Sequence, residues 1–371
     1  YNNDWYRWAG YKIAREYSNT ELEYTAMRNT AGVLDITPMH KYDIKGTDAI
    51  KFVDKLVTRN VTEINSGQVM YIIWCNEDGN VIDDGTVFCF NSNHLRIFCA
   101  ERNLNWFSDT AIGFNVEVED VSDTIAALAF QGPLSCKILN LLNVKDIENL
   151  KPFYFDNFDL NGCKVTISRT GFSGDLGYEI WCKNEDAINV WDSLFTFNRD
   201  YKVLPAGMNA LEMVRVEAGF IQPNADFMSA EQALRPNRMR NPYELGMGWL
   251  VDLNKNYFTG KKNLINLKKK TLTKKLVGLD IQGDKPAVGS VLYDKNKKEI
   301  GIVTAGMWSP SLKSNIAFGY VDKDHMKIGS KVFAEIYHPE ELEYKKIWAE
   351  CSVVKKQFFN PPRRHKVPAE I

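Results

Sequence analysis

Six short runs of β-branched, aromatic and other apolar residues follow one another from Leu276 to Val353, with turn residues between them. Strands of this length at turn spacing are typical of a small antiparallel barrel or sandwich. The sequence therefore predicts a C-terminal antiparallel β-barrel. The expected strands are Leu276–Ile281, Ser290–Tyr293, Ile300–Ala305, Ile316–Val321, Lys331–Ile336 and Trp348–Val353.

The chain has 371 residues, more than the roughly 250–300 at which a single hydrophobic core stops growing. A basic connector, Leu264–Lys275, precedes the first predicted barrel strand. The sequence therefore predicts a domain boundary near residue 270, with one domain spanning residues 1–270 and a second spanning residues 271–371.

The first 270 residues mix helical and strand patterns, which indicates the α+β fold class. Two hairpins are predicted, one pairing Val69–Cys75 with Val81–Phe90 and one pairing Lys164–Arg169 with Gly177–Cys182. Amphipathic periodicity and end signals predict five helices. These helices are Thr20–Arg28, Thr47–Leu56, Pro133–Leu142, Asp186–Phe197 and Gly207–Gly219, and further strands are Val33–Ile36, Lys41–Ile44 and Thr124–Gly132.

Charge and cysteine usage exclude several classes of protein. The 46 basic and 47 acidic residues are interspersed, so no basic field for nucleic acid is expected. The seven scattered cysteines have no CxxC spacing, which argues against a zinc site and a disulfide framework and favours reduced thiols. No apolar run reaches the roughly 20 residues that span a bilayer. We therefore expect a cytoplasmic protein with neither a metal site nor a membrane partner.

Two adjacent acids, Asp83 and Asp84, stand early in a predicted strand. Strands alternate their side chains, so one of the two carboxylates is expected to point inward. From these residues alone, a solvated rim and a catalytic pair both remain open. The five histidines lie far from any nucleophile-elbow pattern, so hydrolysis by a Ser/His/Asp triad is not expected.

A glycine-rich loop with Gly171, Gly174 and Gly177 connects two predicted strands. No helix follows it, so a dinucleotide phosphate site is rejected. The loop is better interpreted as a tight connection that brings Glu179 to the rim of a cavity. A cross-strand pair between Glu179 and a basic residue is the structural alternative.

Three further features leave alternatives open. Arg215 stands three residues after Glu212 on a predicted helix and could simply pair with it. The segment Gln222–Arg240 is either a surface loop or a lid beside the site. The tryptophans are either core residues or an aromatic cage for a methylated cation.

Taken in order, these segments resemble the aminomethyltransferase (glycine cleavage T-protein) family along nearly the whole chain. Each motif is weak alone, but many in one order are specific. The motifs are Thr30–Asp35 with Met39, Gly79–Asp84, Gln131-Gly132-Pro133, Thr170–Ile180, Arg215–Gly219, Gly246–Trp249, Phe258–Lys261, Leu276–Leu279 and Ser309–Leu312.

The resemblance implies two interleaved α/β folate-binding subdomains and a C-terminal barrel, arranged as a cloverleaf around a central channel that holds tetrahydrofolate. It places the catalytic aspartate on Asp83, which would stabilise positive charge at folate N5 and the transferred carbon. It also implies that a carboxylate clamps the pterin and that other side chains line the folate or order its site. The residues in these roles are Glu179 for the clamp, and Phe172, Arg215, Tyr71 and Met39 around it.

The implied activity is the transfer of an aminomethyl-derived or methyl carbon from a small donor to tetrahydrofolate, with a lipoylated carrier protein as the family's partner. Two departures leave the donor open: Leu211 replaces an arginine, and Phe98-Cys99-Ala100 replaces a Val-Asn-Ala strand end. The alternatives are demethylation of a methylated amine or sulfonium compound, and folate binding without transfer. A flavin demethylase is not expected, because no G-x-G-x-x-G opens the sequence.

Overall fold

The structure is a computed structural model that describes residues 4–340 and 343–368. The outer ends of the two predicted domains, residues 1–3 and 369–371, lie outside the described residues. The chain forms two compact units. The first contains the described residues up to Trp74, Asp83–Val214 and those from Asn360, and the second contains Cys75–Ile82 and Arg215–Phe359. The boundary near residue 270 stays a prediction.

Helices and strands alternate along the first two thirds of the chain and strands dominate the rest. The helices are α1 Thr20–Asn29, α2 Ala49–Leu56, α3 Leu104–Thr110, α4 Ser135–Leu141, α5 Ala187–Leu194, α6 Asn198–Tyr201, α7 Met208–Ala218 and α8 Lys261–Lys269. The strands are β1 Trp5–Trp8, β2 Tyr11–Ala14, β3 Gly32–Asp35, β4 His40–Lys45, β5 Val69–Cys75, β6 Val81–Asn91, β7 His94–Cys99, β8 Glu117–Asp120, β9 Ile125–Gln131, β10 Phe155–Leu160, β11 Cys163–Ser168, β12 Gly177–Lys183, β13 Leu204–Pro205, β14 Lys274–Ile281, β15 Val291–Tyr293, β16 Glu299–Ser309, β17 Ser314–Asp322, β18 Lys331–Glu340 and β19 Glu343–Val354.

Two sheets build the first unit. The six-stranded sheet has the order β10-β11-β12-β9-β3-β13 and the five-stranded sheet has the order β5-β6-β7-β4-β8. Within the described residues of these two sheets, β13 and β3 form a parallel pair. Both predicted hairpins are confirmed, since β5 neighbours β6 and β11 pairs with β12 in antiparallel register.

The six-stranded sheet buries both of its faces. On one face, Tyr178 and Ile180 of β12 pack in a cluster with residues of α4 and α5. The other face carries Trp181, whose ring centroid lies 4.1 Å from that of Phe98 on the five-stranded sheet. Phe98 in turn lies 4.6 Å from Phe88. The two sheets are therefore held face to face by aromatic packing.

Helix α1 shows how polar groups fix the edge of this core. The Asn19 side chain accepts hydrogen bonds from the backbone N–H groups of Glu21 and Leu22, as expected of an N-cap. Glu23 is fully buried, and its carboxylate accepts hydrogen bonds from the backbone N–H groups of Tyr17, Ser18 and Gly207. One carboxylate thus ties α1 to the segment that leads into α7.

The second unit contains the predicted barrel. Its six antiparallel strands close in the order β14-β17-β16-β15-β18-β19 around an apolar interior. All six predicted strands are present, so the C-terminal barrel and the mixed α and β composition of the chain are confirmed. Closure removes the free strand edges that would otherwise pair with other chains.

The sequence interpretation missed several elements. Strands β7, β8 and β10 and helix α3 were not predicted. The prediction of a connector at Leu264–Lys275 is also partly wrong, because helix α8 includes its first part, from Leu264 to Lys269. Leu264 is fully buried on this helix, and lysine is a good helix former, so its basic composition does not oppose a helix. None of the described helices is both long and apolar enough to cross a bilayer.

The aromatic contact between the sheets gives a stability prediction. Phe98→Ala should lower the free energy of unfolding by about 3–5 kcal/mol, because Phe98 is 1% exposed and its removal leaves a cavity against Trp181. Ile112→Ala is the matched control, since Ile112 is 77% exposed and should lose at most about 0.5 kcal/mol. Chemical denaturation of both variants checks the prediction, and equal losses would contradict it.

Candidate functional site

The facing surfaces of the two sheets bring together several of the predicted site residues. In β12 the side chains alternate, so Glu179 points to the same side as Trp181, towards the five-stranded sheet. Met39 and Phe172 are half-buried and pack against the aromatic cluster that contains Trp181. These three predicted residues therefore border one apolar cluster of the first unit.

Glu179 is a half-buried carboxylate held by hydroxyl groups. The Thr170 hydroxyl donates a hydrogen bond to its Oε2, and Ser168, which stands opposite it on β11, also hydrogen-bonds to the carboxylate. Burial raises the pKa of Glu179 to about 6, although the two hydroxyl groups act in the other direction. No lysine or arginine of the described residues forms an ion pair with Glu179, so the cross-strand salt bridge is not observed.

The glycine-rich loop before Glu179 is built around the side chain of Gln131. Its Nε2 donates to the carbonyl oxygens of Thr170 and Tyr178, and its Oε1 accepts a hydrogen bond from the Ser173 hydroxyl. A Cβ atom on Gly171 or Gly177 would lie within 2.1–2.4 Å of this amide. These two glycines are therefore required by a close side-chain approach rather than by phosphate binding.

A buried ion pair fixes the other end of the loop. Asp175 accepts two hydrogen bonds from the Arg363 guanidinium, at 2.6 and 2.8 Å. Arg28 lies 3.9 Å from the same carboxylate and donates to the Ser173 carbonyl oxygen. A bidentate pair of this kind is strong and directional, so the loop conformation is set before any ligand arrives.

The two aspartates of β6 differ in environment. Thr86 stands opposite Phe98 in the sheet, so Asp84 shares the face of Phe98 and Phe88, which is directed at the aromatic cluster. Asp84 is half-buried, and its carboxylate accepts a 2.6 Å hydrogen bond from the Tyr71 hydroxyl. Burial and the Asp84 charge raise the pKa of Tyr71, which keeps this donor protonated.

Asp83 points to the opposite face of the strand and is 1% exposed. Its carboxylate accepts hydrogen bonds from Asn103 Nδ2 and from the backbone N–H of Asp84, both at 2.8 Å. Burial and the neighbouring Asp84 carboxylate raise the pKa of Asp83 well above its usual range. Asp83 stays the predicted catalytic residue, and Asp84 is the carboxylate that shares a strand face with Phe88.

Arg215 belongs to the second unit and is fully buried there. Its Nη1 donates to Asp226 Oδ2 at 2.6 Å and to the Phe220 carbonyl oxygen at 3.0 Å. Asp226 also accepts hydrogen bonds from Thr304 and, through its carbonyl oxygen, from Tyr320. The start of the segment Gln222–Arg240 is therefore anchored in the buried part of this unit through Asp226, whereas residues 231–238 are mostly exposed, as the surface-loop interpretation expects.

Sequence reasoning missed the partners of the predicted residues. Asn103, Gln131 and Thr170 hold Asp83, the glycine loop and Glu179 respectively. Gln131 stands in the Gln131-Gly132-Pro133 motif, but no spacing rule pointed to its role in the loop or to Asn103. Leu211, which replaces an expected arginine, and Phe98, which replaces an expected valine, are packing residues of the aromatic cluster. No cluster of metal-ligating side chains occurs among residues 4–340 and 343–368.

Comparison with known proteins covers nearly the whole chain. The family model of the GCVT N-terminal domain matches residues 2–255, and that of the glycine cleavage T-protein C-terminal barrel domain matches residues 274–359. An aminomethyltransferase of Caldanaerobacter subterraneus is 34% identical over 90% of this chain and 88% of its own. One of a Thermotoga species is 32% identical over 97% of this chain and 94% of its own.

A solved structure shows the same fold. The glycine cleavage system aminomethyltransferase T of Bartonella henselae matches with a TM-score of 0.84, covering 98% of this chain and 95% of its own at 24% identity. The two aminomethyltransferases and the two family models span both the mixed α and β region and the barrel. The chain therefore belongs to the aminomethyltransferase (glycine cleavage T-protein) family of folate-dependent one-carbon transferases.

Proposed function

We propose that this chain transfers an aminomethyl-derived carbon from a lipoylated carrier protein to N5 of tetrahydrofolate, with release of ammonia. The observation that carries the proposal is the placement of two half-buried carboxylates, Glu179 and Asp84, on sheet faces directed at one aromatic cluster. Met39 and Phe172 border the same cluster and offer apolar surface for a planar ring. The predicted cytoplasmic location belongs to this proposal.

Glu179 fits a pterin because a carboxylate only accepts hydrogen bonds. Its two oxygens have about four lone-pair sites, so the contacts from Thr170 and Ser168 leave room for two further N–H donors. The 2-amino group and N3–H of a pterin present two such donors side by side. The two hydroxyl groups hold the carboxylate in place, which reduces the entropy lost on binding.

An aspartate of β6 supplies the electrostatic part of the chemistry. Tetrahydrofolate contributes the nucleophilic N5 that accepts the carbon. A preorganised carboxylate of low accessibility stabilises positive charge that develops beside it. Asp83 is the predicted residue, and Asp84 is its alternative, because Asp84 is on the face that Phe88 and Phe98 share and is held by Tyr71. Arg215 orders its own unit through Asp226.

A donor assay tests the proposal. The purified protein is incubated with tetrahydrofolate and a lipoylated carrier protein charged with an aminomethyl group, and methylenetetrahydrofolate and ammonia are measured. We expect both products in equal amounts, and neither when the carrier lacks lipoate. Turnover of a methylated amine or a sulfonium compound, with none of the charged carrier, would replace the proposal by the demethylase alternative.

Glu179→Gln should weaken tetrahydrofolate binding by roughly 1–3 kcal/mol, because one acceptor oxygen becomes an N–H donor that faces other donors. The pH dependence gives a second readout. Since the pKa of Glu179 is raised to about 6, protonation below that pH should weaken binding in the native protein and leave Glu179→Gln unchanged. Fluorescence titration between pH 5 and 8 measures both. If the native protein and Glu179→Gln bind tetrahydrofolate with equal affinity at every pH, Glu179 has only a structural role.

Asp83→Asn and Asp84→Asn form a matched pair, because each replaces a carboxyl group by an amide of the same shape. Loss of the carboxylate that stabilises the transition state should lower kcat by on the order of 10²-fold with little change in folate affinity. From the strand faces we expect this loss in Asp84→Asn, whereas the family resemblance assigns it to Asp83→Asn. Single-turnover rates and folate titrations of both variants decide. Equal losses, or losses confined to binding, would contradict either assignment.

A further inference from the structure

Arg169 is a buried cation with most of its hydrogen-bonding capacity unused. It directly follows β11 and is 7% exposed. Its Nη1 donates to the Leu150 carbonyl oxygen at 3.0 Å. Its Nε and Nη2 are shielded from solvent and have no hydrogen-bond partner among the described residues. Those two atoms form the edge of the guanidinium that commonly makes a bidentate pair with a carboxylate.

A second polar group without a strong hydrogen-bond partner lies beside Arg169. Tyr178 of β12 is fully buried, and among the described residues its hydroxyl has only the Cys136 thiol, a weak hydrogen-bonding group, as a partner. The charged or titratable groups that act on Tyr178 electrostatically are Arg169, Glu148 and the Cys136 thiol. Arg169 and Glu148 also act on Cys136. Glu148 is exposed and forms no ion pair with Arg169, so no carboxylate of the described residues pairs with this cation.

Burying an unpaired charge is costly, and proteins avoid it by pairing the charge or hydrating it. Arg cannot lose its proton in this environment, so neutralisation by deprotonation is not available. We propose that the free edge of Arg169, together with the Tyr178 hydroxyl, binds a small carboxylate of about the size of formate. A planar anion with two oxygens satisfies Nε and Nη2 at once and can also accept from a hydroxyl.

The site lies directly behind the glutamate that is proposed to clamp the pterin. Arg169 precedes Thr170 and Tyr178 precedes Glu179, and alternation places each pair on opposite faces of the sheet. A carboxylate bound to Arg169 therefore restrains the backbone that positions Thr170 and Glu179. This link rests on the proposed function, whereas the anion site itself does not.

The first experiment needs no folate. Thermal unfolding of the full chain is measured while sodium chloride is replaced by sodium formate at constant ionic strength. We expect formate to raise the Tm of the native protein by about 1–3 °C at several times its Kd. Arg169→Met should show no formate-specific rise. Arg169→Lys keeps the charge but lacks the planar guanidinium that donates two parallel N–H bonds to a carboxylate. This variant should therefore lose the preference for formate over chloride.

Two matched variants separate the possible outcomes. Arg199→Met removes an exposed arginine of the same unit and should respond to formate as the native protein does. Glu148→Gln tests whether Glu148 reaches Arg169 in solution. A formate-independent Tm in the native protein, or an equal rise in Arg169→Met, would overturn the proposal and leave hydration by water as the explanation. Destabilisation by Glu148→Gln equal to that of Arg169→Met would also overturn it.

The link to Glu179 has its own readout. Formate should change the tetrahydrofolate affinity of the native protein by about 2–5-fold and leave that of Arg169→Met unchanged. A formate-dependent Tm without any change in folate affinity would keep the anion site and remove the link. If neither the native protein nor Arg169→Met binds tetrahydrofolate, that result counts against the proposed function. It leaves the anion site untouched, because the Tm response to formate does not require folate.

Discussion

The contact of Trp181 with Phe98 and Phe88 is the interaction on which the candidate site depends. It joins the six-stranded sheet to the five-stranded sheet, with ring centroids 4.1 and 5.9 Å apart. Because strands alternate their side chains, this contact also fixes which neighbours point at the same cluster. Glu179 is two residues from Trp181 on β12, and Asp84 is four residues from Phe88 on β6. Apolar packing thus orients the two polar groups.

Burial then determines what each carboxylate can do. Asp83 is 1% exposed and meets only neutral donors, so its charged form is disfavoured. Glu179 keeps part of its surface and two hydroxyl partners, and its pKa of about 6 leaves it ionised at neutral pH. Asp84 has the Tyr71 hydroxyl as a donor. The charged form of the carboxyl group is therefore disfavoured at Asp83, whereas at Glu179 the group is a charged hydrogen-bond acceptor.

The sequence predicted the barrel well and the site only partly, for physical reasons. Barrel strands repeat a local pattern, apolar residues at turn spacing, and all six were recognised. Alternation along β6 indicated that Asp83 and Asp84 point to opposite faces, but no local pattern states which face meets the other sheet. Pairing of Arg215 with the nearby Glu212 was one alternative, but no local pattern indicated the buried ion pair of Arg215 with Asp226, eleven residues later. Contacts between distant segments depend on tertiary packing that one sequence does not display.

The glycine loop shows how such distant contacts prepare a ligand site. Gln131 leaves no space for a Cβ on Gly171 or Gly177, and its amide holds the loop at Thr170 and Ser173. The same Thr170 donates its hydroxyl to Glu179. The acceptor that faces the cluster is therefore positioned by a chain of neutral hydrogen bonds that ends in a side chain from β9. A carboxylate held in this way binds a pair of N–H donors without first losing its own rotational freedom, and that difference favours a rigid planar ligand over a flexible one.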